Sequence, residues 1–128
     1  MKGFVGNIEQ ETLKNTDYRR VLYTVHDMQL VVMSLAPGVE IGEEVHELAQ
    51  FIRIEAGTAT VHMGEAVHAL SADDAVIIPA GMRHNVVNTG KNDCKLYSIY
   101  APPEHRHDVI HSTKADEREE HFDGVVSE

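Results

Sequence analysis

Tryptophan is absent from this chain of 128 residues, cysteine occurs once, and aromatic side chains make up only 5% of it. With so few aromatic side chains, the sequence lacks the stacking platforms on which single-stranded nucleic acids are bound. The lone Cys94 excludes an internal disulfide, and the absence of a signal-peptide pattern adds to the expectation of a cytoplasmic protein. No apolar run reaches the roughly 20 residues that a membrane-spanning helix needs.

Basic side chains are also scarce, since 11 lysines and arginines face 21 aspartates and glutamates, which gives a formal net charge of -10. Such a surface repels the phosphates of nucleic acids and of anionic membranes, so we expect neither as a partner. The length is typical of one domain, which can bury a core without disulfides. Histidine, in contrast, is frequent, with nine copies.

Short runs rich in β-branched residues fill the middle of the chain and are separated by glycine, proline and asparagine. Many short strands with this spacing are typical of an all-β sandwich or barrel. We predict an N-terminal arm (1–20), a β-barrel (21–103) and a polar C-terminal tail (104–128), with a short helix at Lys114–Glu120 begun by Thr113. The predicted strands are Val21–Val25, Gln29–Leu35, Ile41–His46, Gln50–Ile54, Thr58–Met63, Ala66–Leu70, Ala75–Ile78, His84–Asn88 and Lys95–Tyr100.

The first candidate site lies where two of these strands meet. Glu44 and His46 are two residues apart, so they share one face of a strand. Gln50 begins the next strand and shares its face with Ile52 and Ile54, which predicts that this amide is buried. A buried amide needs a hydrogen-bonding or ligating partner. The spacing alone also fits solvated loop residues and a glutamine that is bonded only structurally.

The second candidate site follows a tight turn. Pro79 fixes one backbone angle and Gly81 supplies an unusual conformation, after which His84 begins a strand and shares its face with Asn88. A rigid turn of this kind positions a side chain as a ligand requires. A core histidine bonded to the backbone fits the same pattern. Imidazole, carboxylate and amide donors that converge on one point are typical of a divalent transition-metal site.

Together, the stretches GVEIGEEVHELAQFIRIEAG and DDAVIIPAGMRHNVVN resemble the two motifs of the cupin family. They are most similar to small single-domain bacterial cupins, which are often loosely labelled mannose-6-phosphate isomerase-like. In the first motif, Glu44 and His46 stand at the two histidine positions and Gln50 at the glutamate position. The second motif keeps its proline, glycine, histidine and asparagine, and departs only at Asp73, where glycine is usual.

The resemblance implies a cupin-type double-stranded β-helix, a small jelly-roll barrel, that pairs as a homodimer. It also implies one divalent transition metal (Fe, Mn, Ni or Zn) held by Glu44, His46, Gln50 and His84, with altered selectivity because two of these residues depart from the family pattern. The implied function is an enzyme that acts on a small polar metabolite, of isomerase, lyase or dioxygenase type, with Glu44 as catalytic residue.

Two alternatives stay open at this point. One is a non-catalytic small-molecule-binding or sensor cupin, with or without metal. The other is a metal-free enzyme that uses Glu44 as its acid or base. Of the other seven histidines, we expect His26, His62 and His68 to face outward and His121 to lie near the C-terminus of the tail helix, which leaves a group of three in the tail. That group, His105, His107 and His111, is compatible with a second metal site, with a flap over the barrel mouth, or with a solvated tail.

Overall fold

Alternating apolar side chains form the inward faces of two antiparallel sheets. The structure is a computed structural model and describes residues 1–128. The larger sheet has six strands in the order β6-β3-β8-β2-β1-β9, and the smaller has three in the order β5-β4-β7. The elements are α1 (Ile8–Lys14), β1 (Arg19–Thr24), β2 (Gln29–Leu35), β3 (Ala49–Ala56), β4 (Thr58–Met63), β5 (Ala66–Ser71), β6 (Ala75–Ile78), β7 (His84–Val87), β8 (Cys94–Ala101), β9 (Ile110–His111) and a 3₁₀ turn (Lys114–Asp116). The predicted all-β class is confirmed. Neither helical segment is long and apolar enough to cross a membrane.

The core lies between the inward faces of the two sheets. On β3, Ile52 and Ile54 are fully buried and Gln50 is only 3% exposed, as the two-residue period predicts. The outward residues between them are partly exposed. The apolar core comprises Tyr18, Val21, Val31, Met33, Leu35, Ile41, Leu48, Ile52, Ile54, Ala59, Val61, Ile78, Val86, Cys94, Leu96, Tyr100 and Val109. A polar side chain is therefore held at the end of an apolar row.

The strand predicted over Ile41–His46 is wrong. Within this segment only Glu44 forms a bridge with β7, to His84, and Glu40 just before the segment forms a second isolated bridge, to Val87. Gly42 lies between the bridges with a φ of +111°, a conformation that a continuous strand does not contain. The segment therefore follows β7 without forming a ladder, and Glu44 is still fixed beside His84.

Both ends of the chain contain structure that the sequence pattern did not predict. Near the N-terminus, the Asn7 side chain caps α1 by accepting a hydrogen bond from the Gln10 amide at 3.0 Å. Near the C-terminus, β9 pairs with the start of β1, so that His111 lies opposite Arg19. The tail thus adds an edge strand to the larger sheet.

The helix predicted over Lys114–Glu120 is shortened to the single 3₁₀ turn. The Asp116 carboxylate accepts hydrogen bonds from the Thr113 amide and hydroxyl, at 3.0 and 2.9 Å, which begins the turn as expected. Helical geometry then ends, because Glu117 has an extended ψ of 133°. Its carboxylate is bonded to Arg19 and Lys114 inside the fold.

Gly57 joins β3 to β4 at a close approach between chain segments. Its φ is +82°, and a Cβ atom there would lie 2.5 Å from the Asp93 carbonyl oxygen. Gly64 also has a positive φ, +57°, but its surroundings are open. Both alanine substitutions carry the cost of a left-handed backbone, and only Gly57→Ala adds a steric clash. We expect Gly57→Ala to lower the free energy of unfolding by at least about 1 kcal/mol more than Gly64→Ala, measured by urea denaturation. Equal losses would contradict this assignment.

Candidate metal centre

Three side chains converge at one edge of the β-sandwich. Each of Glu44, His46 and His84 offers a ligand atom, and these atoms all lie within 4.8 Å of one another. No other group of three histidine, cysteine, aspartate or glutamate side chains in the chain meets this condition. The two stretches singled out in the sequence therefore meet in space.

Backbone hydrogen bonds explain why they meet. Glu44 and His84 exchange both bonds of their bridge, each 2.9 Å long. The amide of Gly81, in the turn before β7, donates to the His46 carbonyl oxygen at 2.7 Å. The φ of Gly81 is +83°, a value that glycine adopts at little cost. Main-chain contacts thus fix both segments of the site relative to each other.

Each histidine has its Nδ1 atom beside an acceptor. His84 Nδ1 lies 2.9 Å from the Met82 carbonyl oxygen, and His46 Nδ1 lies 3.5 Å from Glu104 Oε2. In a neutral imidazole, a proton on Nδ1 leaves a lone pair on Nε2. The acceptors therefore favour the tautomer in which Nε2 is the ligand atom. His46 Nε2 is 3.3 Å from Glu44 Oε2, and the two imidazole rings are 5.1 Å apart between centroids.

Gln50 supplies the fourth predicted ligand position. Its Nε2 donates to Ser98 Oγ and to the Tyr100 hydroxyl oxygen, both at 3.2 Å. Its Oε1 is buried and has no hydrogen-bond partner. Buried polar atoms almost always have a partner, so this oxygen is available to a cation or a ligand. Two imidazoles, a carboxylate and an amide oxygen form a donor set that fits a divalent transition metal.

Burial shifts the pKa values of Glu44 and His46. It is the largest cause that raises the pKa of Glu44, while Arg19 and His84 act in the opposite direction. Burial also lowers the pKa of His46, and the nearby Glu104 carboxylate opposes that shift. A neutral imidazole is the form that binds metal, so His46 is in its ligating form at neutral pH.

A network of polar side chains around Glu117 lies between the cluster and β1. The Arg19 guanidinium, 3% exposed, donates through one terminal nitrogen to Glu117 Oε2 at 2.7 Å. Lys114 donates to the other oxygen of Glu117 at 2.7 Å, and the Tyr18 hydroxyl donates to Oε2 at 3.1 Å. The partly exposed Glu117 carboxylate is therefore shared by two cations and a phenol, and it offsets the desolvation of the buried Arg19 guanidinium.

Two concave regions adjoin the candidate ligands. A cleft of about 670 Å³ is lined by Glu44, His46, Glu104 and His121, among others. A second cavity, of about 240 Å³, is lined by Arg19, Glu44, Glu104 and other polar residues. Both volumes suit a small polar molecule, and Glu44 contributes to both.

Sequence reasoning missed three of these residues. Arg19 alternates with the buried Val21 on β1, and that pattern was a usable signal that it points inward. Glu104 and Glu117 lie in the tail, where the sequence has no regular period and gave no such signal.

The tail histidines do not form a second metal cluster. His105 and His111 are buried, and the His105 ring contacts Tyr100 edge-on at 5.2 Å between centroids. They are part of the packed interior, which contradicts a solvated tail. His62 and His68 are exposed, as predicted.

The chain is similar in sequence to a known protein family and to two curated proteins. The family model described as Cupin domain matches residues 31–100, which contain all four predicted ligand positions. The chain is 45% identical over 122 residues to the uncharacterized protein YrkC of Bacillus subtilis (strain 168), covering 90% of this chain and 66% of that protein. It is 30% identical over 97 residues to protein SchB of Streptomyces halstedii, covering 75% of this chain and 70% of that protein. The chain thus spans about two thirds of the length of these curated relatives.

Solved structures are similar as well. A crystal structure of a Bacillus halodurans protein is 46% identical, has a TM-score of 0.88, and covers 90% of this chain and 92% of that chain. The structure of KdgF from Halomonas sp. is 21% identical, has a TM-score of 0.62, and covers 66% of this chain and 76% of that chain. At that lower identity the similarity shows the fold alone.

The burial of His105 predicts a pH dependence of stability. Burial is the main cause that lowers the pKa of this histidine to about 2. As the pH falls below about 6.5, the unfolded chain takes up a proton that the folded protein refuses, so stability present above that pH is progressively lost. We expect His105→Gln to reduce this loss by about 1.4 kcal/mol per pH unit between about pH 6 and 4.

The measurement is urea unfolding of the metal-free protein at several pH values. His62→Gln, which replaces an exposed histidine on β4, is the matched control and should leave the slope of the wild-type protein unchanged. Parallel slopes for His105→Gln and wild type would contradict the assignment.

Proposed function

This chain belongs to the cupin family, and from that premise we propose that it is a metal-binding enzyme acting on a small polar metabolite. Its predicted cupin-type double-stranded β-helix fold is confirmed by the family match and by the Bacillus halodurans structure. The observation that carries the proposal is the convergence of Glu44, His46 and His84, whose ligand atoms lie within 4.8 Å of one another. We assign these three residues as metal ligands, with Gln50 Oε1 as the fourth.

The proposed cofactor is one divalent transition metal, with iron, manganese, nickel and zinc as the candidates. Two neutral imidazoles, one carboxylate and a neutral amide leave such an ion with a net positive charge. Nitrogen and oxygen donors of this kind do not by themselves select among these metals. When bound, the metal supplies Lewis-acid polarisation of a substrate oxygen.

Within the reaction we propose Glu44 as the residue that holds or moves a proton. One of its oxygens lies beside His46 Nε2, and burial raises the pKa of its carboxyl group. A bound cation would favour the ionised carboxylate, so in the loaded site Glu44 would act as a base and not as an acid. Isomerase, lyase and dioxygenase chemistry all fit this arrangement, and we propose the reaction only at that level.

The concave regions support a small polar ligand. Polar residues dominate the lining of both, and the buried Arg19 guanidinium lies in the smaller cavity with Glu44. Apolar lining is sparse, which disfavours a lipid or another large apolar ligand. The net charge of -10 disfavours nucleic acid.

A non-catalytic binding or sensor cupin is the second candidate. The observation that favours it is Gln50, an amide at the position where the family motif carries a glutamate. An amide ligand is neutral and binds a cation less strongly than a carboxylate does. Retention of a small molecule through purification, without turnover of any metabolite class, would support this candidate.

Chain organisation beyond the site is also part of the proposal. We keep the division into an arm (1–20), a barrel (21–103) and a tail (104–128). A homodimer is supported by the exposed edge strand β6, where Ile77 is 65% exposed opposite Phe51. A cytoplasmic location is supported by the single cysteine, Cys94, which is buried and unpaired.

Metal content tests the proposed ligand set directly. We expect about one metal ion per chain in untagged protein purified without chelator and without nickel resin. His84→Gln should lose most of it, because a principal nitrogen ligand is removed. His62→Gln is the matched control, since His62 lies opposite Asn85, the next residue of β7, and is exposed. Equal and negligible metal in wild type and His84→Gln, even after reconstitution, would refute the metal site.

Gln50 is tested by two substitutions. Gln50→Leu removes the unpartnered oxygen, and we expect it to lower the affinity for added manganese or cobalt by about 10-fold or more, since a ligand is lost. Gln50→Glu adds a negative charge at the same position and should raise that affinity above the Leu variant. Calorimetric titration of metal-free protein measures both. Equal affinities in wild type and Gln50→Leu would limit Gln50 to hydrogen bonding.

A further inference from the structure

We infer that Glu104 is a positioning residue for the metal site, and that the C-terminal segment around His121 holds it in place. The inference rests on the proposed function, because it concerns how His46 is presented to a metal. It also assigns a role to the tail, which the sequence left unassigned.

The Glu104 carboxylate lies between two histidines. Its Oε2 is 3.5 Å from His46 Nδ1, and its Oε1 is 3.2 Å from His121 Nδ1. The Glu104 side chain is only 14% exposed, so this carboxylate is mostly withdrawn from solvent. Oε1 is therefore hydrogen-bonded to His121, and Oε2 faces His46 Nδ1 at a separation slightly longer than a hydrogen bond.

The backbone that carries Glu104 is held on one side by a side chain of β2. Gln29, the first residue of β2, is buried, and its Oε1 accepts hydrogen bonds from the amides of Glu104 and His105 at 3.3 and 3.0 Å. Its Nε2 donates to the His105 carbonyl oxygen at 2.7 Å. One side chain thus makes three hydrogen bonds to two successive residues after β8.

The same segment is also hydrogen-bonded to the backbone of residues 120–122, near the C-terminus. The Phe122 amide donates to the Glu104 carbonyl oxygen at 2.9 Å, and the Arg106 amide donates to the Glu120 carbonyl oxygen at 3.0 Å. These bonds form the antiparallel bridge between His105 and His121. The bridge places His121 where its ring contacts Glu104.

A carboxylate beside Nδ1 of a ligating histidine has a defined physical effect. It holds the proton on Nδ1, orients the ring and makes Nε2 a better electron donor, and loss of such a partner commonly lowers metal affinity 10- to 100-fold. Glu104 acts through His46 and not as a ligand itself, because the group of convergent ligand atoms does not include it. His84 obtains the same support from a backbone carbonyl, so Glu104 is the support that mutation can remove.

The test is titration of metal-free protein with cobalt(II), followed by calorimetry and by the visible absorption of the bound ion. We expect Glu104→Ala to weaken cobalt binding about 10- to 100-fold and to change the spectrum. Glu104→Gln keeps a neutral acceptor and should recover part of the affinity. His121→Gln should give a smaller loss, since it removes only the contact that holds Glu104.

Glu119→Gln is the matched control, because Glu119 lines the same cleft and is exposed. It should bind cobalt as the wild-type protein does. Thermal unfolding of each metal-free variant separates affinity from folding, and the Gln variants carry the test if Glu104→Ala does not fold. If folded Glu104 variants bound cobalt with wild-type affinity and an unchanged spectrum, the inference about Glu104 would be overturned and the proposed function would stand. This holds even if the tail were destabilised. Failure of the wild-type protein to bind cobalt would instead refute the proposed function, and the inference with it.

Discussion

The paired backbone hydrogen bonds between Glu44 and His84 are the contact on which the candidate metal centre depends. Each bond is 2.9 Å long, and together they join the irregular segment before β3 to the start of β7. Because the main chain makes this connection, both side chains are positioned without help from a metal. Gly81 reinforces it through the His46 carbonyl oxygen. A site fixed by backbone bonds loses little conformational freedom on binding, which is the main benefit of preorganisation.

Polar groups inside the sandwich impose the second constraint. Burying the Arg19 guanidinium costs desolvation energy, which is offset because it donates to the Glu117 carboxylate, itself bonded to Lys114 and the Tyr18 hydroxyl. Gln50 satisfies its amide nitrogen twice but leaves its oxygen without a partner. An apolar interior would fold with fewer such requirements. A buried amide oxygen without a partner is better explained by binding than by stability.

Local pattern was enough to predict the all-β class and the positions of Gln50 and His84, whereas the cupin-type fold and the set of four ligands were implied by the family resemblance. The two-residue period put Gln50 on the inward face with Ile52, and turn chemistry put His84 at the start of a strand. The same reasoning failed at Ile41–His46. Gly42 interrupts the strand there with a positive φ, and the pattern of apolar residues around it does not indicate the interruption. Glu104 was out of reach, since its position depends on contacts from β2 and from the last residues of the chain. Long-range contacts of this kind leave no local period in the sequence.

The two departures from the cupin motifs at ligand positions compensate each other in charge. Relative to the family pattern, a glutamate replaces a histidine at Glu44 and a glutamine replaces a glutamate at Gln50. With the proposed ligand set, the number of carboxylates around the metal therefore stays at one. What changes is its location, from the buried position of Gln50 to Glu44, whose side chain is 33% exposed. The negative charge now borders the cleft and the Arg19 cavity, and a neutral amide stays in the interior. The net charge at the metal is unchanged. Any altered metal selectivity of this site would then arise from the position of the carboxylate relative to the small molecule bound in the cleft.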